Sequence, residues 1–219
     1  MYRILTLFTL LMLIAAATAA HEAAAKNPPV LKQGSKGAEV GNLQFRLHTL
    51  GYLKVNPTAH YGALTRKAVQ QFQKANRLPS TGVTDLKTWK KLKRKSLSKK
   101  EVILLARVIH AEARGETYKG QVAVGAVVLN RLQSPSFPKT LQGVIMQRNA
   151  FTAVQDGQIK LKPSATAYQA AKAAVKGDDP TGNALYYCNP AISKSKWFKN
   201  RLATKKIAIK KIGNHVFTV

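Results

Sequence analysis

Two segments of the chain, residues 39–53 and 64–78, repeat one pattern of apolar residues and decide what the N-terminal part can fold into. In each copy the apolar positions lie three and four residues apart, which is the spacing of one face of an amphipathic helix. Gly51 stands where a helix C-cap is expected, and Tyr52 is placed to pack back on that helix. The repeat therefore predicts a pair of packed helices.

A third helix is predicted from the segment TDLKTWKKL, with Thr84 as its N-cap and Leu86, Trp89 and Leu92 as buried residues. Two copies of a repeat are too few for a solenoid. The sequence therefore predicts a compact three-helix module that spans residues 28–93.

Three segments resemble the peptidoglycan-binding module that is often attached to wall-degrading enzymes. They are LKQGSKGAEVGNLQFRLHTLGYL, YGALTRKAVQQFQKANRL and TGVTDLKTWKKL. The resemblance covers the whole module. It implies that residues 28–93 bind peptidoglycan. The alternative is an accessory helical domain without a ligand.

The first twenty residues have the pattern of an export signal. Arg3 supplies a positive charge, residues 4–14 are mostly apolar, and Ala17-Thr18-Ala19 offers a cleavage site between small residues. An uncleaved anchor is the alternative, but the apolar run is shorter than the roughly 20 residues of a membrane-spanning helix. We therefore expect residues 1–20 to be a signal peptide and the mature protein to be exported, without a transmembrane segment.

The charge of the chain limits its partners, because 36 lysines and arginines face only 9 aspartates and glutamates. A net charge of +27 favours a polyanion as partner, although it also keeps a protein soluble. The sequence contains no nucleic-acid-binding motif, so we expect peptidoglycan and anionic wall polymers as partners rather than nucleic acid.

Cys188 is the only cysteine, and the five histidines lack metal-ligand spacing, so neither a metal nor another cofactor is expected.

The segment LSKKEVILLARVIHAEARG predicts a helix that begins with a capping box of Ser98 and Glu101. Leu105, Ile109 and Glu112 share one face of this helix, because seven residues make nearly two full turns. Glu112 is therefore predicted to project from the apolar side, near the end of the helix.

Two interpretations of Glu112 follow from the pattern. A carboxyl group among apolar neighbours resists ionisation, which is the property that a general acid needs near neutral pH. In glycosidic cleavage such an acid protonates the leaving oxygen. The alternative is a surface glutamate paired with one of the many lysines. Glu116 is a second carboxylate nearby, with cations as its expected partners.

The remaining segments predict further helices and polar, aromatic loops. Residues 120–135 are apolar almost all round, which favours a buried central helix over a buried strand. Ser164 and Gly177 have the positions of a cap and a stop for another helix. The loops suit a sugar cleft, and we expect substrate contacts from Glu116, Gln147, Phe151, Thr152, Tyr186, Tyr187, Asn189 and His215.

Four segments resemble the catalytic domain of the spore cortex-lytic enzymes, the SleB/CwlJ-type cell wall hydrolases. They are ARVIHAEARGETYKGQVAVGAVVLNRLQSPSFPKTLQGVI, AFTAVQDGQI, DDPTGNALYYCNP and IGNHVF. The resemblance implies a lysozyme-like or lytic-transglycosylase-like helical domain with a small β-sheet over residues 97–219. The whole chain is then mainly α (α+β). It also implies that Glu112 is the catalytic residue. His110 and Cys188 differ from the residues usual in that family.

The resemblance further implies a lytic transglycosylase, in which one glutamate serves as acid and then as base. If the enzyme is instead a hydrolase, Asp156, Asp178 or Asp179 are further carboxylates, although turn and helix-end positions favour structural roles for them. Two other functions stay open: a zinc amidase with His110, Glu116 and His215 as ligands, and a wall-binding protein without activity.

The expected location is the cell wall, or the spore cortex or coat, of an endospore-forming bacterium. An accessory germination protein is a further partner that the resemblance allows.

Overall fold

The computed structural model describes residues 28–193, 195–203 and 209–219. The predicted signal peptide, residues 1–20, lies outside these ranges. The chain divides into two compact units, Met1–Arg94 and Lys95–Val219. We call them the N-terminal unit and the C-terminal unit and describe each by itself. No helix in the described ranges has the length and apolar character needed to cross a membrane.

The described part of the N-terminal unit contains three helices: α1 (Ala38–Thr49), α2 (Ala63–Ala75) and α3 (Leu86–Lys95). The repeated apolar positions face one another as predicted, and the core consists of Leu31, Val40, Leu43, Leu47, Leu53, Tyr61, Ala68, Val69, Phe72, Trp89 and Leu92. Gly51 has a left-handed φ of 86° after α1, and the Tyr52 ring packs edge-on against Phe72 at 5.5 Å. The predicted helix end is thus confirmed.

The start of α3 differs from the prediction. Thr84 exchanges two backbone hydrogen bonds with Leu31, so it belongs to a short antiparallel bridge. Asp85 caps the helix instead, because its Oδ1 accepts a hydrogen bond of 2.8 Å from the Thr88 N–H. Hydrogen bonds from Thr88 also hold the pKa of Asp85 below its ordinary value. The helix therefore begins one residue later than predicted, and Leu86 is 38% exposed rather than buried.

Two buried glutamines fix the loops of this unit. The Gln44 Oε1 accepts hydrogen bonds from the backbone N–H groups of Thr58 and Ala59, while its Nε2 donates to Thr65 at 2.8 Å. Gln73 occupies the corresponding place on α2, where its Oε1 accepts from the Gly82 N–H at 2.9 Å. Because unpaired buried amides are costly, these satisfied networks hold the loops in one arrangement.

The C-terminal unit contains the helices α4 (Lys99–Ala113), α5 (Tyr118–Gln133), α6 (Leu141–Met146), α7 (Thr152–Gln155), α8 (Ala165–Lys176) and α9 (Lys196–Ala203). The central helix α5 is almost wholly buried along residues 120–128, which decides the helix-or-strand question in favour of the helix. Gly125 permits its close packing, because a Cβ there would lie 2.8 Å from Ile109 Cδ1 and 3.2 Å from Ala174 Cβ.

A small antiparallel sheet completes the C-terminal unit, with strands β1 (Tyr186–Cys188), β2 (Ile209–Ile212) and β3 (His215–Thr218) in the order β1-β3-β2. Tyr187 on β1 lies opposite Phe217 on β3, and Ile212 lies opposite His215. The sheet thereby brings residues near position 187 and residues near position 215 to one place.

The predicted capping box of α4 is present. Ser98 Oγ accepts a hydrogen bond from the Glu101 N–H, and the Glu101 carboxylate accepts one of 2.7 Å from the Ser98 N–H.

Replacing Ser98 with alanine is expected to lower the free energy of unfolding of the C-terminal unit by about 1 kcal/mol, because one orphan N–H at the helix start loses its acceptor. Urea denaturation followed by circular dichroism measures the change. Since the cap serves folding only, the cleavage rate at 25 °C should stay at the wild-type value. An unchanged free energy of unfolding in this variant would show that the capping box contributes nothing to stability.

Candidate active site

The carboxylate of Glu112 lies at the end of α4 and accepts hydrogen bonds from three donors. Its Oε1 accepts from the Thr152 hydroxyl at 3.0 Å and from the Ala153 N–H at 2.8 Å. Its Oε2 accepts from the Tyr187 hydroxyl at 3.1 Å. The side chain is half-buried, and polar groups from α7 and β1 contact both of its oxygens. The apolar pattern of α4 did not predict these polar partners.

The start of α7 explains why the Ala153 N–H is free to reach Glu112. The first N–H groups of a helix have no acceptor within the helix. Phe151, the residue before α7, has an extended φ of −143° and is only 2% exposed. Its buried ring fixes the position of the helix start, so that Thr152 and Ala153 both present donors to the same oxygen.

Tyr187 is held in place by the sheet and by two aromatic neighbours. Its ring stacks on Phe217 at 5.7 Å and meets the His215 ring edge-on at 5.2 Å. Burial raises the pKa of Tyr187 well above its ordinary value, and the nearby charge of Glu112 raises it further, while Arg131 opposes the shift. The phenol therefore remains protonated at neutral pH and keeps donating to Glu112.

Replacing Tyr187 with phenylalanine is expected to lower kcat for glycan cleavage about 10- to 100-fold, because a hydrogen bond to a charged group contributes about 1.5–3 kcal/mol. The stacked ring remains, so the fold should be unchanged. Steady-state kinetics on soluble glycan fragments measure the effect. The matched control is Tyr186→Phe on the same strand, which should retain the wild-type kcat. Equal rates for both variants would contradict the role of the Tyr187 hydroxyl.

Glu116 is fixed by the turn between β2 and β3. Its Oε1 accepts a hydrogen bond from the Asn214 amide and its Oε2 one from the Asn214 N–H, both at 3.1 Å. His215 Nδ1 lies 3.6 Å from Oε1, and the Glu116 side chain is only 8% exposed. The expectation of cationic partners is thus corrected. Both oxygens accept a hydrogen bond within the protein, so Glu116 is held in a position that supports the site.

His215 is likewise enclosed, at 8% exposure. Burial lowers the pKa of His215, and the charges of Glu116 and Glu112 oppose this shift. The ring is therefore neutral at neutral pH. Its contacts with Tyr187 and Glu116 connect the two parts of the site, and its direct contact with a substrate stays a prediction.

The other predicted contact residues are more dispersed. Phe151 and Tyr186 lie beneath arginine guanidinium groups, Phe151 under Arg131 at 5.1 Å and Tyr186 under Arg201 at 4.7 Å. A cation thus lies over one face of each ring, and the expected contact with sugars stays a prediction. Gln147 is exposed at the end of α6, and the Asn189 side chain accepts a local hydrogen bond from the Ala191 N–H.

Two residues of the site were not predicted from the sequence, Arg131 and Asn214. Arg131 is 7% exposed on the buried helix α5, and its Nε donates to the Leu185 carbonyl at 2.7 Å. The signal for it was a cation within an otherwise apolar helix. Asn214 holds Glu116, and the signal for it was its place in the loop GNHVF between strands.

The aspartates of the C-terminal unit have structural surroundings. Asp156 accepts from Gln158 within a turn. Asp178 is exposed, and its N–H donates to the Ala173 carbonyl beyond α8. Burial raises the pKa of Asp179, but hydrogen bonds from Thr181 and other donors outweigh it and hold the pKa below the ordinary value. Within the described ranges, no three His, Cys, Asp or Glu side chains come together as a metal site would require.

Two family models match the chain. Residues 115–218 match the cell wall hydrolase family, and residues 36–92 match a peptidoglycan binding domain. The first match begins just after the helix that carries Glu112, so it does not include this residue.

Similar proteins agree with these matches. A spore cortex-lytic enzyme of Bacillus cereus is 37% identical over 226 residues, which cover 86% of this chain and 85% of that protein. The crystal structure of the catalytic domain of the Bacillus cereus SleB protein has 50% identity and a TM-score of 0.51, covering 57% of this chain and 93% of that one. The catalytic domain of the germination-specific lytic transglycosylase SleB from Bacillus anthracis has 49% identity and a TM-score of 0.51, with 56% and 97% covered.

Proposed function

The chain belongs to the family of spore cortex-lytic enzymes, and from that premise we propose that it cleaves the glycan strand of peptidoglycan as a lytic transglycosylase with Glu112 as its single acid and base. The observation that carries the proposal is the arrangement of three donors around one half-buried carboxylate. Peptidoglycan is the substrate, and the cell wall or spore cortex is the place of action.

The hydrogen bonds of Glu112 indicate which oxygen transfers the proton. Oε1 already accepts two hydrogen bonds, whereas Oε2 accepts one, from Tyr187. Because a carboxylate oxygen has two lone pairs, Oε2 keeps a free position for a proton. Glu112 then protonates the glycosidic oxygen from Oε2, and the three donors stabilise the carboxylate that this transfer leaves behind.

The second step uses the same carboxylate as a base. Glu112 takes the proton of the C6 hydroxyl of the muramic sugar while that oxygen attacks C1 and closes a 1,6-anhydro ring. An internal nucleophile needs no second carboxylate to activate water. This agrees with the surroundings of Asp179, each of whose oxygens accepts two hydrogen bonds within the protein.

The N-terminal unit, by its match to a peptidoglycan binding domain, attaches the enzyme to its insoluble substrate. Export through residues 1–20, electrostatic attraction to anionic wall polymers and an accessory germination protein belong to the same proposal. The excess of 36 basic over 9 acidic residues supports the electrostatic part.

Mass spectrometry of fragments released from spore cortex and from vegetative peptidoglycan tests the proposed function. We expect glycan fragments lighter by one water than hydrolysed muropeptides. Free peptides together with intact glycan strands would instead indicate an amidase. Unchanged peptidoglycan in both samples would indicate a wall-binding protein without activity.

A further inference from the structure

Arg131 is a buried cation next to the proposed active site. Its guanidinium group lies over the rings of Phe151 at 5.1 Å, Phe137 at 5.4 Å and Tyr186 at 5.8 Å. Its Nε donates to the Leu185 carbonyl at 2.7 Å. Three aromatic rings and one carbonyl thus fix the guanidinium group in position.

The two terminal nitrogens of Arg131 have no hydrogen-bond acceptor among the described residues, and no carboxylate there forms an ion pair with the side chain. These nitrogens are also not among the fully enclosed, unpaired polar atoms of the described ranges. A guanidinium group has several N–H donors and no acceptor. Burial without a counter-ion is costly, and it lowers the pKa of Arg131, with Tyr187, Tyr186 and Glu112 opposing the shift.

Arg131 lies close to the groups that hold Glu112. Phe151, under the guanidinium group, directly precedes Thr152, which donates to Glu112. The charges of Glu112 and Tyr187, the other hydroxyl donor, both act on the guanidinium group, so Arg131 and Glu112 are close in space. We therefore expect a sugar whose glycosidic oxygen meets Glu112 to bring its substituents within reach of Arg131.

We propose that the terminal nitrogens of Arg131 bind an acyl oxygen of the sugar at the cleavage point. This inference rests on the proposed function. Peptidoglycan sugars carry two kinds of acyl oxygen, the N-acetyl carbonyl and the lactyl carbonyl that bears the peptide. Both oxygens accept hydrogen bonds, and the guanidinium group only donates them. Because this group is planar and held in place, it provides directional hydrogen bonds to such an oxygen.

A purely structural role would not need the terminal nitrogens of Arg131. The ring contacts and the Nε hydrogen bond already connect α5 to the segment before β1. They leave the terminal nitrogens unused, although these carry most of the donors. The proposed contact uses these nitrogens and compensates for the burial of an unpaired cation.

The test compares three soluble glycan fragments: one intact, one chemically freed of N-acetyl groups, and one whose sugars carry no lactyl group, as in a chitin oligosaccharide. Wild-type kcat/KM is expected to fall about 10- to 100-fold on the fragment that lacks the acyl group bound by Arg131, because hydrogen bonds to charged groups contribute about 1.5–3 kcal/mol. The fragment that shows the fall identifies which of the two acyl groups is bound.

The variant Arg131→Lys keeps the charge but not the fork. Its kcat/KM on the intact fragment should be about 10- to 100-fold below the wild-type value. On the fragment that lacks the bound group, its kcat/KM should equal that of the wild type. The matched control is Arg201→Lys, which alters the other arginine over Tyr186 and should discriminate among the fragments as the wild type does.

Two outcomes overturn the inference. One is a wild-type enzyme that cleaves all three fragments at equal rates, a result that does not depend on whether any variant folds. The other is an Arg131→Lys variant that loses the same factor on every fragment, which would indicate a structural role. A wild-type enzyme that cleaves no fragment would instead contradict the proposed function itself.

Discussion

Replacing Glu112 with glutamine lowers kcat for glycan cleavage by at least about 10²- to 10⁴-fold, the range that a positioned general acid contributes. Glutamine has nearly the same shape, and its carbonyl oxygen can still accept from the Ala153 N–H and the Thr152 hydroxyl. It cannot donate a proton to the glycosidic oxygen. The loss should therefore appear in kcat, with little change in KM or in the melting temperature.

The matched control for this variant is Glu39→Gln in α1, where the carboxylate accepts an exposed hydrogen bond from the Asn42 amide. It makes the same chemical change in the N-terminal unit and should leave kcat unchanged. If the Glu112→Gln variant retained more than about a tenth of the wild-type kcat, Glu112 could not be the general acid.

Replacing Gly213 with alanine is expected to lower both stability and activity. Gly213 has a left-handed φ of 60°, and a Cβ there would overlap with Glu116 Oε2. The left-handed conformation costs about 1–2 kcal/mol for a residue with a Cβ, and the displaced carboxylate loses two hydrogen bonds to the exposed Asn214, which contribute about 0.5–1.5 kcal/mol each. We expect a loss of about 2–5 kcal/mol in the free energy of unfolding of the C-terminal unit.

Activity should fall as well, because the turn at Gly213 leads directly into His215, whose ring contacts Tyr187. A displacement of about 1 Å in an active site can lower the rate about 100-fold. Denaturant unfolding and kcat are measured together. Gly182→Ala is the control, because its φ of 73° is also left-handed but no atom lies within 4 Å of the added Cβ. If the two variants behaved alike, backbone strain rather than contact with Glu116 would be the cause.

The regular parts of the fold were predictable from local patterns. The apolar spacing in α1 and α2, the capping box of α4 and the stop of α8 at Gly177 depend on neighbours in sequence, and each is present in the structure. The start of α3 was not predictable in this way. Thr84 is an ordinary N-cap residue, but its pairing with Leu31 involves a segment more than fifty residues away.

The sequence predicted which residues form the site better than it predicted what each of them contacts. Glu112, Thr152 and Tyr187 were all expected, and they do lie together. The surroundings of Glu112 could not be inferred from its own helix, because its donors come from α7 and β1. For the same reason Glu116 looked like a partner for lysines, whereas the turn at Asn214 holds it. Arg131 was missed because a cation in a buried helix has no meaning until its neighbours are known.

The most direct test of the single-glutamate mechanism is cleavage of purified peptidoglycan in water labelled with oxygen-18, followed by mass spectrometry of the new sugar ends. An internal C6 hydroxyl supplies the attacking oxygen in the proposed reaction, so the products should be 1,6-anhydro sugars without the label. Reducing ends that carry oxygen-18 would contradict the account, because a water molecule, and a second group to activate it, would then take part in the reaction.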